Sequence, residues 1–157
     1  MLAPYRFLQE RGKYMDRRKV IRENIFRILF RIEFNDQEEM EEQMNLYLDG
    51  LEDTESIDNI EEQEIALIRE KTKAVLKKQS LIDEKISMVS DGWTIDRIGK
   101  TELAIMRLAV YEMCFDENIP EKVAINEAVE LSKIYCDEEA KGFINAVLGK
   151  LARQGDL

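Results

Sequence analysis

The chain has 157 residues and a formal net charge of −10, with 36% charged and 45% hydrophobic residues. This length supports one domain, or two closely joined helical subdomains, and the apolar fraction is typical of a globular protein. No apolar run approaches the roughly 18–20 residues of a membrane span, and residues 2–8 are too short and too polar for a signal peptide, so we expect a cytoplasmic protein with no membrane contact.

Helical periodicity runs through the chain and β-branched alternation is nearly absent, which predicts an all-α fold. Residues 1–14 carry no periodic apolar stripe, and we expect them to form a mobile N-terminal extension to a single helical body at 15–157. About seven helices are predicted there, in two packed helical subdomains at about 15–90 and 91–157. Their approximate spans are 16–33, 36–50, 58–79, 80–92, 101–115, 120–135 and 138–151, with a short turn at 93–98.

Several residues mark where these helices begin. Asp16 is the predicted N-cap of the first helix, and Asp36 with Glu39 three residues later forms a start like a capping box for the second. Pro120 suits the first turn of the sixth helix, and Asp137 is the predicted N-cap of the seventh. The predicted buried side of the first helix consists of Val20, Ile21, Ile25, Ile28, Leu29 and Ile32.

Charge is distributed unevenly along the chain. Residues 1–31 contain nine Lys or Arg against three Asp or Glu, whereas residues 32–68 contain fourteen Asp or Glu and no Lys or Arg. An acidic protein with a concentrated basic segment can bind a polyanion locally while the rest of its surface repels it. The net charge therefore does not exclude nucleic acid as a ligand.

The sequence gives no support for a metal or cofactor site. Cys114 and Cys136 lie in different predicted helices without CxxC spacing, and the chain has no histidine. We therefore expect no structural zinc site. We expect both cysteines to be buried, reduced thiols. The acidic residues at 38–42 and 52–64 lack the spacing of a calcium-binding loop, so we interpret them as a solvated face.

Five stretches of sequence resemble the NusB family of bacterial antitermination factors, and they lie along the chain in the family's order. VAINEAVEL at 123–131, followed by FINAVL at 143–148, is similar to the family signature. TIDRI at 94–98 and AIMRLAVYE at 104–112 resemble the block that precedes it, and RRKVIRE at 17–23 resembles the arginine-rich first helix. The resemblance covers about residues 16–151 and implies the same architecture of two helical groups. Met15 stands where a family chain normally begins, so residues 1–14 are either a real extension or the product of a start codon placed too early.

The start of the first helix is the leading candidate for an RNA-binding site. Positive charge there opposes the helix dipole, so helix stability does not explain it, and arginine suits phosphate and exposed bases. A solvated helix face is the alternative. The resemblance implies that this segment binds boxA-type single-stranded RNA. Arg107, within an apolar helix, needs either a carboxylate partner or an RNA contact. The candidate RNA-binding residues are Arg17, Arg18, Lys19, Arg22 and Arg107.

The resemblance also implies a protein-binding site for NusE, a small-subunit ribosomal protein. The residues that match this site are Phe30, Glu102, Glu139 and Phe143. Sequence position alone supports simpler roles, because Phe143 also suits the hydrophobic core, and the two glutamates suit the first turns of their helices.

These features favour a non-catalytic adaptor in transcription. By resemblance, it binds boxA RNA with NusE and supports RNA polymerase, with other Nus factors, through ribosomal RNA operons. One alternative is a module like the N-terminal domain of RNA cytosine methyltransferases, although the sequence has no glycine-rich nucleotide loop. Another is a helical protein-interaction module without RNA affinity. Family members occur as monomers and as homodimers, and the sequence does not choose between them.

Overall fold

The computed structural model describes residues 17–53 and 59–154, and all of the regular structure in these ranges is helical. The prediction of an all-α fold is confirmed. Within the same ranges, no helix is both long enough and apolar enough to cross a membrane. The elements are α1 (Arg17–Ile32), α2 (Gln37–Asp53), α3 (Glu62–Lys77), α4 (Gln79–Val89), a 3₁₀ helix (Ile95–Arg97), α5 (Lys100–Phe115), α6 (Glu121–Tyr135) and α7 (Glu138–Arg153).

The chain forms two compact units whose boundary lies between Lys73 and Ala74, inside α3. This boundary comes earlier than the expected division near residue 90. The reason is that α4 packs against α5, α7 and the 3₁₀ helix, and so belongs with the elements that follow it. The predicted extension at residues 1–14 and the predicted cap Asp16 lie outside the described residues.

In the first unit, α1 packs against α2. Four of the six predicted core positions of α1 are buried, while Val20 and Ile21 are only half-buried. The buried amide of Asn24 donates a hydrogen bond to the Val20 carbonyl (2.8 Å) and accepts one from the Tyr47 hydroxyl (2.5 Å). The buried apolar residues of the described part of this unit are Ile25, Phe26, Ile28, Leu29, Ile32, Met44, Leu48, Ile65 and Ile68.

Helix α2 begins as predicted and ends later than predicted. The Glu39 backbone N–H donates to Asp36 Oδ1 at 3.1 Å, as expected for an N-cap, and the Glu39 carboxylate accepts from the Asn35 side chain at 3.1 Å. The predicted end at Asp49–Gly50 is wrong, because the helix continues to Asp53. Gly50 is exposed inside a helix, a position that costs only about 1 kcal/mol relative to alanine.

The second unit is built around α5, which packs against α4, α6 and α7. Residues 103–110 are buried without interruption. Pro120 is the N-cap of α6 rather than part of its first turn, and its carbonyl accepts from Val123 and Ala124 N–H groups. Asp137 caps α7 as predicted, because its Oδ1 accepts from the Ala140 N–H at 2.8 Å.

Candidate functional site

The basic segment at the start of α1 presents fewer cations to solvent than its sequence indicates. Arg18 and Lys19 are exposed, whereas Arg22 is only 8% exposed. Arg17 forms a two-point ion pair with Glu64, through Nε to Oε2 at 2.8 Å and Nη2 to Oε1 at 2.5 Å. The hydrogen bonds from Arg17 hold the pKa of the Glu64 carboxyl below its usual value, although burial acts in the opposite direction.

This ion pair corrects two expectations from the sequence. Glu64, in the acidic stretch interpreted as a solvated face, is instead part of a partly buried contact with α1. Arg17 is correspondingly committed to a carboxylate and, through Nη2, to the Asn59 carbonyl oxygen at 3.4 Å. The accessible part of the predicted RNA-binding segment is therefore the Arg18–Lys19 pair.

Arg107 forms an ion pair with a carboxylate, which was one of the two contacts that the sequence allowed for it. Its Nε lies 2.8 Å from Asp83 Oδ1 and its Nη2 lies 2.8 Å from Asp83 Oδ2. Arg107 is 5% exposed, in the middle of α5. A two-point pair that engages a buried arginine is a structural contact, so we remove Arg107 from the candidate RNA-binding surface.

Three of the four predicted NusE-binding residues line one groove of about 310 Å³ in the second unit. The first turn of α5 supplies Glu102, the first two turns of α7 supply Glu139 and Phe143, and residues 93–99 before α5 supply much of the remaining wall. The complete lining consists of Trp93, Arg97, Ile98, Gly99, Glu102, Asp137, Glu139, Ala140 and Phe143. We refer to this as the acidic-aromatic groove.

Trp93 is the main component of this groove that the sequence analysis missed. Trp93 is 51% exposed, and its ring meets the Phe143 ring edge-on, with centroids 6.2 Å apart. Phe143, which is half-buried, is thus neither a core residue nor fully exposed. Tryptophan is enriched among residues that dominate protein–protein binding energy. The sequence did contain a signal for this role, because Trp93 is a tryptophan that lies in a turn and outside any apolar stripe.

Phe30, the fourth predicted partner residue, lies in the first unit. It is half-buried on α1, between Phe26 (centroids 6.4 Å apart) and Phe34 (5.4 Å, edge-on). Phe34 is 65% exposed. The accessible aromatic of this row is therefore Phe34, which the sequence analysis did not select although it follows Phe30 at helical spacing.

The Glu102 carboxylate lies close to two neighbouring residues, Gly99 and Cys136. Gly99 is the N-cap of α5, and a Cβ atom at this residue would collide with the Glu102 carboxylate. On another side, Glu102 contacts the Cys136 thiol. Burial is the main factor that raises the pKa of Cys136 to about 12, and the Glu102 charge adds to it. Both cysteines are free and half-buried rather than fully buried as expected.

This contact predicts that Cys136 is a poor nucleophile at neutral pH. Only the thiolate form of a cysteine reacts, and a pKa of about 12 leaves Cys136 almost entirely protonated at neutral pH. In a Cys114→Ser background, iodoacetamide should therefore modify folded Cys136 far more slowly than the unfolded chain. Glu102→Gln should accelerate the reaction, because removing the neighbouring charge lowers the thiol pKa. Glu139→Gln, a change in the same groove, should not, and equal acceleration by both variants would contradict the contact.

Comparison with known proteins identifies the family. A sequence model of the NusB family matches residues 19–153. Transcription antitermination protein NusB of Agathobacter rectalis is 46% identical over 135 residues, which are 86% of this chain and 98% of that protein. The solved structure of T. maritima NusB is similar, with a TM-score of 0.75 and 28% identity over 87% of this chain and 91% of that chain. A chain in a solved complex of antitermination factors NusB and NusE with double-stranded RNA shares the fold, with a TM-score of 0.71 and 22% identity over 89% of this chain and 98% of that chain. The resemblance seen in the sequence is confirmed, and the chain belongs to the NusB family.

Proposed function

We propose that this protein binds boxA-type single-stranded RNA together with NusE and thereby supports RNA polymerase elongation through ribosomal RNA operons. Its family consists of non-enzymatic transcription antitermination factors. The observation that carries the proposal is the convergence of Glu102, Glu139 and Phe143 on one groove in a chain of this family. Such an adaptor acts in the cytoplasm, in an elongation complex with other Nus factors.

The acidic-aromatic groove supports the NusE part of the proposal. It combines two aromatic rings, which supply apolar contact area, with carboxylates that suit a basic partner. Arg97 at the groove adds one cation that can pair with a partner carboxylate or carbonyl. A solved complex contains NusB and NusE with double-stranded RNA, and a NusE-type protein is the partner we propose here.

The RNA part of the proposal rests on Arg18 and Lys19. Both side chains are exposed near the N-terminus of α1, where the helix dipole adds positive potential for a phosphate. Each phosphate contact releases condensed counterions, so binding to single-stranded RNA weakens with salt in proportion to the number of contacts. Joint binding of NusE would extend the RNA footprint and raise the overall affinity.

Replacing both Arg18 and Lys19 with alanine should weaken boxA RNA binding and reduce its salt dependence. If each side chain neutralises one phosphate, the slope of log K against log salt should fall by about 1.4, which is twice the single-strand factor of roughly 0.7. Fluorescence anisotropy of labelled boxA RNA across a potassium chloride series measures this slope.

The matched control removes one lysine and one arginine elsewhere, through Lys77→Ala with Arg153→Ala, both of which are exposed. This control has the same net charge and should keep the wild-type slope. An unchanged slope in the Arg18/Lys19 variant would place the RNA-binding site elsewhere.

No measurable boxA affinity in the wild-type protein, with or without NusE, would favour the helical interaction module, an alternative supported by the commitment of Arg17 to Glu64. Sedimentation at the same concentrations would reveal whether a homodimer forms.

A further inference from the structure

A second groove of about 350 Å³ lies between α6 and α7. Each helix contributes a lysine followed by an asparagine one helical turn later: Lys122 and Asn126 on α6, and Lys141 and Asn145 on α7. Because residues four apart lie on the same face of a helix, each lysine and its asparagine point the same way. We refer to this as the lysine-asparagine groove.

The lining of this groove is basic, amide-bearing and aliphatic. Ile125 and Val129 are half-buried between the polar side chains, and Gly142 leaves its side of the wall open. The lining contains two lysines and no carboxylate, in a chain whose net charge is −10. Its charge is therefore opposite to that of most of the surface and of the acidic-aromatic groove, which contains Glu102 and Glu139.

We infer that the lysine-asparagine groove is a docking site for an acidic peptide segment, in extended conformation, of a partner protein. This inference is independent of the RNA and NusE functions proposed above. The two ammonium groups match carboxylate side chains. Each asparagine amide both donates and accepts hydrogen bonds, which suits the alternating N–H and C=O groups of an extended peptide. The Ile125 and Val129 side chains provide apolar area for one aliphatic residue of the peptide.

The dimensions of the groove agree with a short segment. Residues 122–129 of α6 span about 10 Å at 1.5 Å per residue, which is the length of about three extended peptide residues. Lys141 contacts Glu138 at 3.2 Å, but the Glu138 side chain is 87% exposed. Exposed pairs of this kind are weak, so a peptide carboxylate can replace Glu138 as the partner of Lys141.

Single-stranded RNA fits this lining less well. Proteins that bind single strands combine cations with aromatic rings on which bases stack. The seven lining residues include no aromatic ring and no arginine. The experiment must accordingly distinguish binding of RNA in this groove from binding of the peptide.

NMR titration of the full ¹⁵N-labelled chain tests the inference. The probe is the acetylated, amidated pentapeptide Glu-Ser-Val-Ser-Glu, whose two carboxylates and one valine lie on the same side of an extended chain, with Gln-Ser-Val-Ser-Gln and a five-nucleotide uridine RNA as comparisons. Even a complex with a Kd of about 1 mM should shift the side-chain amides of Asn126 and Asn145 and the backbone amide of Gly142. The neutral peptide and the RNA should cause much smaller shifts there.

Two variants make the result specific to the groove. Gly142→Leu fills the open wall without a backbone clash, because nothing lies within 4 Å of a Cβ at this position, and it should abolish the shifts while leucine strengthens the helix. Lys122→Glu with Lys141→Glu should weaken acidic-peptide binding at least about tenfold, whereas Lys133→Glu, an exposed change elsewhere on α6, should not. The inference is overturned if the acidic peptide causes no shifts at these amides, if the neutral peptide shifts them equally, or if RNA shifts them more.

Discussion

Replacing Asp83 with alanine is expected to lower the free energy of unfolding by about 3–5 kcal/mol, the usual effect of removing one partner of a buried ion pair. The change deprives the nearly inaccessible Arg107 guanidinium of both of its 2.8 Å contacts with the carboxylate. The cost arises mainly because the Arg107 charge stays in the protein interior, where water does not take the place of the lost carboxylate. Urea denaturation monitored by circular dichroism measures the change in the free energy of unfolding.

The double variant Asp83→Leu with Arg107→Met is the informative control. It removes both charges and retains apolar volume, so it should be more stable than Asp83→Ala alone. It should also bind boxA RNA as the wild-type protein does. A loss below 1 kcal/mol for Asp83→Ala would mean that the pair behaves like a surface contact, and a tenfold loss of RNA affinity in the double variant would return Arg107 to the RNA-binding residues.

Glu102→Lys is expected to weaken NusE binding by about 100-fold or more, which corresponds to roughly 2.7 kcal/mol. The carboxylate lines the groove beside Gly99 and Cys136, so the substitution replaces a negative charge on the groove wall with a positive one. RNA binding by the isolated protein should stay intact or become slightly stronger. Calorimetry of both equilibria gives the two affinities.

Glu117→Lys changes the net charge equally at an exposed residue that does not line the groove, and NusE affinity should be nearly unchanged in this variant. In the wild-type protein, NusE and RNA should each raise the affinity of the other by the same factor, as thermodynamic linkage requires. Equal loss of RNA and NusE affinity in folded Glu102→Lys would show that the two binding sites are not separable.

Features determined by neighbouring residues were predictable from the sequence. The Asp137 cap and most of the buried stripe of α1 depend on side chains within about one helical turn, and both appear as predicted. The end of α2 was not predictable in this way, because Gly50 disfavours a helix locally and the helix nevertheless continues to Asp53. Intrinsic propensity is a weak effect that tertiary context can override.

Contacts between distant positions limited the prediction of the candidate sites. The sequence shows that Arg107 needs a partner, but it cannot identify Asp83, 24 residues away, and it gives no sign that Glu64 engages Arg17 across 47 residues. The grouping of Glu102, Glu139 and Phe143 came from family resemblance rather than from spacing. Trp93 joins them only because the fold brings its turn beside α7.

The first turns of α7 serve both grooves. Glu139, Ala140 and Phe143 face the acidic-aromatic groove, while Lys141, Gly142 and Asn145 face the lysine-asparagine groove. Each residue added to a helix turns the following side chains by about 100°. One inserted or deleted residue at 139–142 would therefore rotate part of each set out of its groove at once, although the helix itself could still form. Divergence in this segment should proceed by substitution, with its length preserved.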